Sequence, residues 1–178
     1  MTAESAWPST KEGNAYIEFD KMIFPTSGWV PNNQRLPVLH YKYALPEGSS
    51  ADFEELFAMN EWTGIWRNGV FSYQHYHCGA HEVLGIGQGN ATLLIGGPDG
   101  RAIEVVTGDC LILPAGTGHM NLRSSPDFEV VGAYPVGQRA DIQTAAASPE
   151  MLSRISALPI PEGDPVQGSA GPLTTAWR

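Results

Sequence analysis

The sequence predicts an all-β domain, a sandwich or jelly-roll barrel with one or two short peripheral helices, on three observations. Glycine (20) and proline (14) make up about a fifth of the 178 residues, against about 12% on average, and they fall in turn-like pairs. From Gly69 to Pro135 the chain reads as short strand-like runs separated by turn signals. No internal repeat or low-complexity segment interrupts that texture. Seven or eight short strands joined by tight turns is the pattern of a closed or sandwiched antiparallel sheet.

Taken in order, residues 1–36 read as an irregular N-terminal arm with one short strand-like piece, Ala15 to Phe19, and a turn-rich run from Phe24 to Asn33. Val38 to Ala44 alternates aromatic and polar residues and opens a barrel that extends to residue 135. Ser50 to Asn60 reads as a helix: Ser50 or Asp52 caps it, Glu54 and Glu55 suit its positive end, and Phe53, Leu56 and Phe57 form one apolar stripe. Trp62 and Trp66, at helical spacing, read as packing residues. Strands are expected over 70–77, 81–87, 91–96, 101–106, 109–113, 118–123 and 127–134, with Gly96-Gly-Pro-Asp-Gly as a turn between two of them. Residues 136–178 then carry a helix from Pro149 to Ala157, capped by Ser148. The tail beyond it is too rich in proline for a regular element, and its Leu173 and Trp177 are expected to lie against the barrel.

Composition narrows the function. Ten Lys and Arg stand against 19 Asp and Glu, a net charge of −9. An acidic chain repels phosphate backbones and anionic lipid, which argues against nucleic acid and membrane surfaces as partners. Two cysteines, Cys78 and Cys110, are too few for a disulfide-stapled scaffold and read as buried reduced thiols. The first eight residues lack a positive start and an apolar run, so no signal peptide is read there and a cytoplasmic setting is expected.

Four of the five histidines fall between residues 75 and 119. His75 and His77 are two apart in an expected strand, so both imidazoles aim into the same space. On the next strand Glu82 shares a face with Leu84 and Ile86, which places it inside the barrel, while His81 shares the opposite face with Val83. His119 follows a strand and a Pro114-Ala-Gly116 reversal. Three imidazoles and a carboxylate converging inside an apolar barrel make a first-row metal site. Each of these residues alone has a plainer reading, since a buried histidine is more often a hydrogen-bonded core residue than a ligand. The set together is what points to a metal: several buried polar groups would otherwise need partners, at roughly 1–3 kcal/mol for each left unmade.

Gly69-(x5)-His75-x-His77-(x4)-Glu82-(x6)-Gly89 resembles the first cupin motif, and Gly108-(x5)-Pro114-x-Gly116-(x2)-His119 resembles the second, with an 18-residue spacer between them. The wider phrases Pro31-Asn-Asn, Leu36-Pro-Val, His81-Glu-Val-Leu-Gly, Ser125-Pro-Asp-Phe and Gly132-Ala-Tyr-Pro resemble a bacterial single-domain cupin group, the YjlB-like proteins. The resemblance implies a double-stranded β-helix barrel, His75, His77, Glu82 and His119 as ligands of one divalent first-row ion (Fe, Mn, Ni or Zn), and frequent homodimerisation. The sequence departs from the cupin pattern at Arg123, where the family usually carries Asn; Asn121 lies nearby.

Two functions follow from this site. One is a metal-dependent enzyme, dioxygenase-like or isomerase/lyase-like, acting on a small organic acid or enol. The other is a non-catalytic module that binds a small molecule or a metal. In the enzyme reading the side chains beside the reacting molecule are Glu82, Arg123 and Tyr73. Arg123 reads either as a clamp for a carboxylate or enolate, from the face of His119, or as a rim residue paired with Asp127 or Glu129. Tyr73 reads either as a hydrogen-bond donor to bound oxygen or as aromatic packing at the barrel mouth. His40 shows no partner in the sequence.

Overall fold

The structure, a computed structural model, describes residues 16–178. Nine strands and three helices follow one another: β1 (Phe19–Met22), β2 (Val38–Tyr41), α1 (Ser50–Met59), β3 (Trp62–Asn68), β4 (Glu82–Gln88), β5 (Asn90–Ile95), β6 (Arg101–Val106), β7 (Cys110–Leu113), β8 (His119–Ser124), β9 (Glu129–Pro135), α2 (Pro149–Ala157) and α3 (Leu173–Ala176). They build two antiparallel sheets, one of six strands in the order β1-β2-β7-β4-β9-β3 and one of three in the order β6-β5-β8. The sequence-predicted strand Ala15–Phe19 begins outside the described residues, and the strand that forms starts at Phe19.

The six-stranded sheet is covered on both faces. Toward the small sheet, Leu84 and Ile86 of β4 pack with Leu93 and Ile95 of β5, Ile103 and Val105 of β6, and Leu111 and Leu113 of β7. On the other face, Val83, Cys110, Ile112 and Val131 pack under Phe53 and Phe57 of α1 and under Leu173 and Trp177 of the tail. Double coverage explains why β4 and β7 are buried at nearly every position. A fully buried Phe or Leu contributes about 1.5–3 kcal/mol relative to exposure, so both layers stabilise the sheet that carries the site.

Helix α1 starts at Ser50, as the sequence suggests, but with a different cap. Ser49, rather than Ser50 or Asp52, is its cap: Ser49 Oγ accepts Asp52 N–H at 3.3 Å, and Asp52 accepts Ser49 N–H at 2.7 Å, closing a capping box. Ser50 turns inward and donates to Glu129 at 2.5 Å. Helix α2 begins as the sequence predicts, with Ser148 as cap and Pro149 in the first turn.

Three further expectations are corrected. Residues 62–68 form β3, which no strand pattern announced, because a register shift between Thr63 and Trp66 breaks the period-two alternation and leaves two tryptophans at helical spacing. Residues 70–77, expected as a continuous strand, make only isolated bridges, His75 with His119 and Tyr76 with Gln143. The tail also carries a four-residue helix, α3, beyond its prolines. Trp177 is buried there, donating to the Pro37 carbonyl at 2.8 Å and stacking edge-on against His81 at 4.9 Å. Among the described residues no helix is long and apolar enough to cross a membrane.

Candidate metal centre

The two sheets leave a cavity of about 280 Å³ at one end of the barrel, and His75, His77, Glu82 and His119 form its polar floor. His75 and His119 face each other across an antiparallel bridge, with N–H to O distances of 3.3 and 3.0 Å. Glu82 enters from the start of β4, on the face of Leu84 and Ile86. The inward nitrogens of His75, His77 and His119 all lie within 4.8 Å of one another, and all three residues are buried. Glu82 turns one oxygen, Oε2, to both His77 Nε2 (3.1 Å) and His119 Nε2 (3.2 Å).

The ring orientations are set from behind. His75 Nδ1 meets the Tyr73 carbonyl at 3.1 Å and His119 Nδ1 meets the Thr117 carbonyl at 3.0 Å. His77 Nδ1 meets the Asp141 carbonyl. A carbonyl only accepts, so each Nδ1 carries the hydrogen and each Nε2 faces the common point. This is the arrangement that fixes imidazoles as metal ligands: one ring nitrogen tied back, the other presented. The donor chemistry therefore fits a first-row divalent ion.

Charge is concentrated here. Burial pushes His75 down to about 3, helped by His119 and His77. Burial also opposes a charge on His77, but Glu82 outweighs it and lifts His77 to about 9. Burial would raise Glu82, yet His77 and His119 hold it well below the usual carboxylate range.

Not every expected residue reaches this floor. Arg123 lies on the outer surface, with its guanidinium 3.6 Å from Glu104 and its side chain three-quarters exposed. The cause is a register shift in the β5–β8 pair: Leu93 faces Asn121 but Thr92 faces Arg123, so Leu122 is an extra residue and the alternation beyond it inverts. Tyr73 is half-exposed at the rim, stacked on Phe71 with ring centroids 5.0 Å apart. What it gives the site is its backbone carbonyl. His81 faces away, accepting the Ala115 N–H at 2.9 Å. His40 has a partner after all, Asp109 at 3.0 Å, both buried. Cys78 and Cys110 are free, buried, and packed in different clusters.

Three residues were given no role in the site by the sequence. Trp66 and Tyr134 line the cavity wall, joined by a hydrogen bond from indole N–H to phenol oxygen at 2.8 Å. Burial, followed by the Glu82 charge, holds the Tyr134 phenol well above its usual range. Asp141 sits in a strap from the C-terminal region whose Ala140 and Ile142 also line the cavity. The Gly132-Ala-Tyr134 phrase was a visible signal for Tyr134; a single Asp in a loop offers none.

A two-sheet antiparallel fold with three buried histidines converging at one end matches the architecture that the two cupin-like motifs imply. Within that class the chain belongs to the family of the uncharacterized protein YjlB of Bacillus subtilis (strain 168), to which it is 37% identical over 162 residues, covering 90% of this chain and 97% of the relative. No family model matches the chain. Among solved structures it is similar to the acireductone dioxygenase from Bacillus anthracis with a cadmium ion in its active center (19% identity, 60% of this chain and 83% of that one, TM-score 0.41). It is also similar to procruciferin, an 11S globulin from Brassica napus (18% identity, 62% of this chain and 23% of that one, TM-score 0.37). These are distant likenesses.

Proposed function

We propose that the protein is a metal-dependent cupin enzyme whose single divalent first-row ion is held by His75, His77, His119 and Glu82, and whose substrate is a small organic acid or enol bound in the adjoining cavity. The observation that carries this reading is the common aim of the three Nε2 atoms, each ring tied back through Nδ1 to a backbone carbonyl. When bound, the ion would supply a Lewis acid or, as iron, a redox centre, for dioxygenase-like or isomerase/lyase-like chemistry. The chain's own part is to present three imidazoles and one carboxylate, and to line the cavity beside them with Val70, Phe71, Leu84 and Ile142. A homodimeric, cytoplasmic protein is the form this reading adopts.

The test is metal content by inductively coupled plasma mass spectrometry, on protein purified anaerobically without a histidine tag, followed by oxygen-uptake and isomerisation assays with small acids and enols. Near one ion per chain, with turnover, supports the enzyme. Near one ion per chain with ligand binding and no turnover leaves the non-catalytic module. No uptake after reloading with Fe, Mn, Ni or Zn rejects both metal readings.

A further inference from the structure

The walls of the cavity beside the three histidines are made apolar by Trp66, Val70, Phe71, Leu84 and Ile142. Their aromatic part is fixed in place. A Cβ on Gly132 would come within 2.1 Å of the Trp66 indole, so the ring fills the space that β9 leaves there, and its N–H donates to the Tyr134 oxygen at 2.8 Å. Arg67 of β3 is the one Lys or Arg among the described residues that line the cavity. Its guanidinium is already taken. Glu54 of α1 holds it bidentately, with Nε to Oε1 at 2.5 Å and Nη2 to Oε2 at 2.7 Å, and Glu129 Oε1 lies 3.9 Å from Nη1. Arg123, the clamp expected from the sequence, lies on the outer surface with Glu104. Glu82 adds a further carboxylate at the floor.

We propose that the cavity selects an uncharged, apolar molecule of about one ring that carries phenol or enol oxygens, and that Glu54 is a specificity-determining residue, holding Arg67 so that a substrate carboxylate finds no free cation on the walls. The proposal rests on the metal-enzyme reading above and narrows its substrate from acids and enols to the enol side. The size follows from the volume: about 280 Å³ lies at the small end of ligand cavities. A carboxylate brought against these walls loses its hydration and gains no partner, whereas a ring gains from each apolar contact it makes. To reach Arg67, an incoming carboxylate must displace Glu54, whose own charge then stays beside it and repels it. Selection by such a built-in repulsive group is how a site with few polar side chains becomes specific. The Arg67–Glu54 pair is partly solvated, so its share of the discrimination is modest.

The experiment uses the full chain loaded with Zn(II), a redox-inert ion, and measures binding by isothermal titration calorimetry, with zinc content and melting temperature alongside. Two probes share one catechol and differ at a single ring position: para-methylcatechol carries a methyl group where protocatechuate carries a carboxylate. Wild type is expected to bind para-methylcatechol at least about tenfold more tightly than protocatechuate. Glu54→Gln removes the charge and keeps the shape, and is expected to shrink that ratio by about three- to fivefold as Arg67 becomes available. The comparison of the two probes on wild type carries the test of the substrate class even if Glu54→Gln unfolds. Protocatechuate bound by wild type as tightly as para-methylcatechol, or neither probe bound by zinc-loaded protein, overturns that class and leaves the metal reading standing. A ratio that does not move in folded Glu54→Gln overturns the role of Glu54. Wild type that takes up no zinc overturns the metal reading and the proposal with it.

Discussion

His75 and His119 form one kind of position in the candidate centre and His77 another. The first two are self-contained: they exchange backbone hydrogen bonds with each other, and each ring is tied to the carbonyl two residues before it. The His77 ring is tied to Asp141, 64 residues further along the chain. The strap that brings Asp141 there is held by several bonds. The Asp141 carboxylate accepts the Cys78 and Gly79 N–H groups at 2.9 and 2.7 Å, Gln143 pairs with the Tyr76 backbone, and Gln138 accepts the His81 N–H at 3.0 Å. Two imidazoles are thus oriented by local chain geometry, and the third by a contact that exists only when the C-terminal segment has docked. The centre is therefore completed by the part of the chain that follows the barrel.

If all three imidazoles are ligands, removing any one has the largest effect available. His77→Ala and His75→Ala should each bring metal content from near one ion per chain to near none, read by mass spectrometry after equal exposure to Zn(II). Retention of metal by His77→Ala would show that the strap orients a ring the ion does not need. The asymmetry itself is tested one step back, at Asp141→Ala. That change leaves the carbonyl in the chain but removes the acceptor for two N–H groups, at about 1–3 kcal/mol of unfolding free energy for each left unpaired. Metal affinity should fall about tenfold as His77 loses its orientation. Asp141→Asn, which keeps an oxygen at the same place, should recover most of both. Urea denaturation and chelator competition measure the two, and an Asp141→Ala protein with native affinity would sever the strap from the site.

The self-contained half of the centre was legible from sequence and the strapped half was not. Alternation in Glu82-Val-Leu-Gly-Ile fixes which residues face the cavity, because β4 runs regularly between two partners, and the Pro114-to-Gly116 reversal delivers His119 by local backbone geometry alone. Alternation fails wherever a bulge intervenes. The bulge in β3 hid a whole strand and with it Trp66, and the one at Leu122 turned Arg123 to the outside. The 70–77 segment has strand-like composition but finds its bridging partners in His119 and Gln143, residues that only the closed barrel brings near. Asp141 belongs to that class of long-range contact, which no periodicity encodes.

The smallest effects belong to the two sequence candidates that the structure sets apart from the floor. Tyr73 serves His75 through its carbonyl, which any residue supplies, so Tyr73→Ala should change metal affinity by less than about twofold, well short of the effect of losing a true supporting partner. Its ring covers the rim beside Phe71, and the variant should instead alter how fast a bound molecule leaves the cavity, read by stopped-flow release. Arg123→Ala should do less still. Its guanidinium is solvated and faces Glu104 across 3.6 Å, an exposed pair that stabilises by at most about 1 kcal/mol. Unfolding free energy should move by no more than about 0.5 kcal/mol, and metal uptake and small-acid binding should be unchanged. A marked loss of acid binding in Arg123→Ala would mean that β8 can run without its bulge, turning Arg123 back to the face of His119 and making the two halves of the centre more alike than this structure has them.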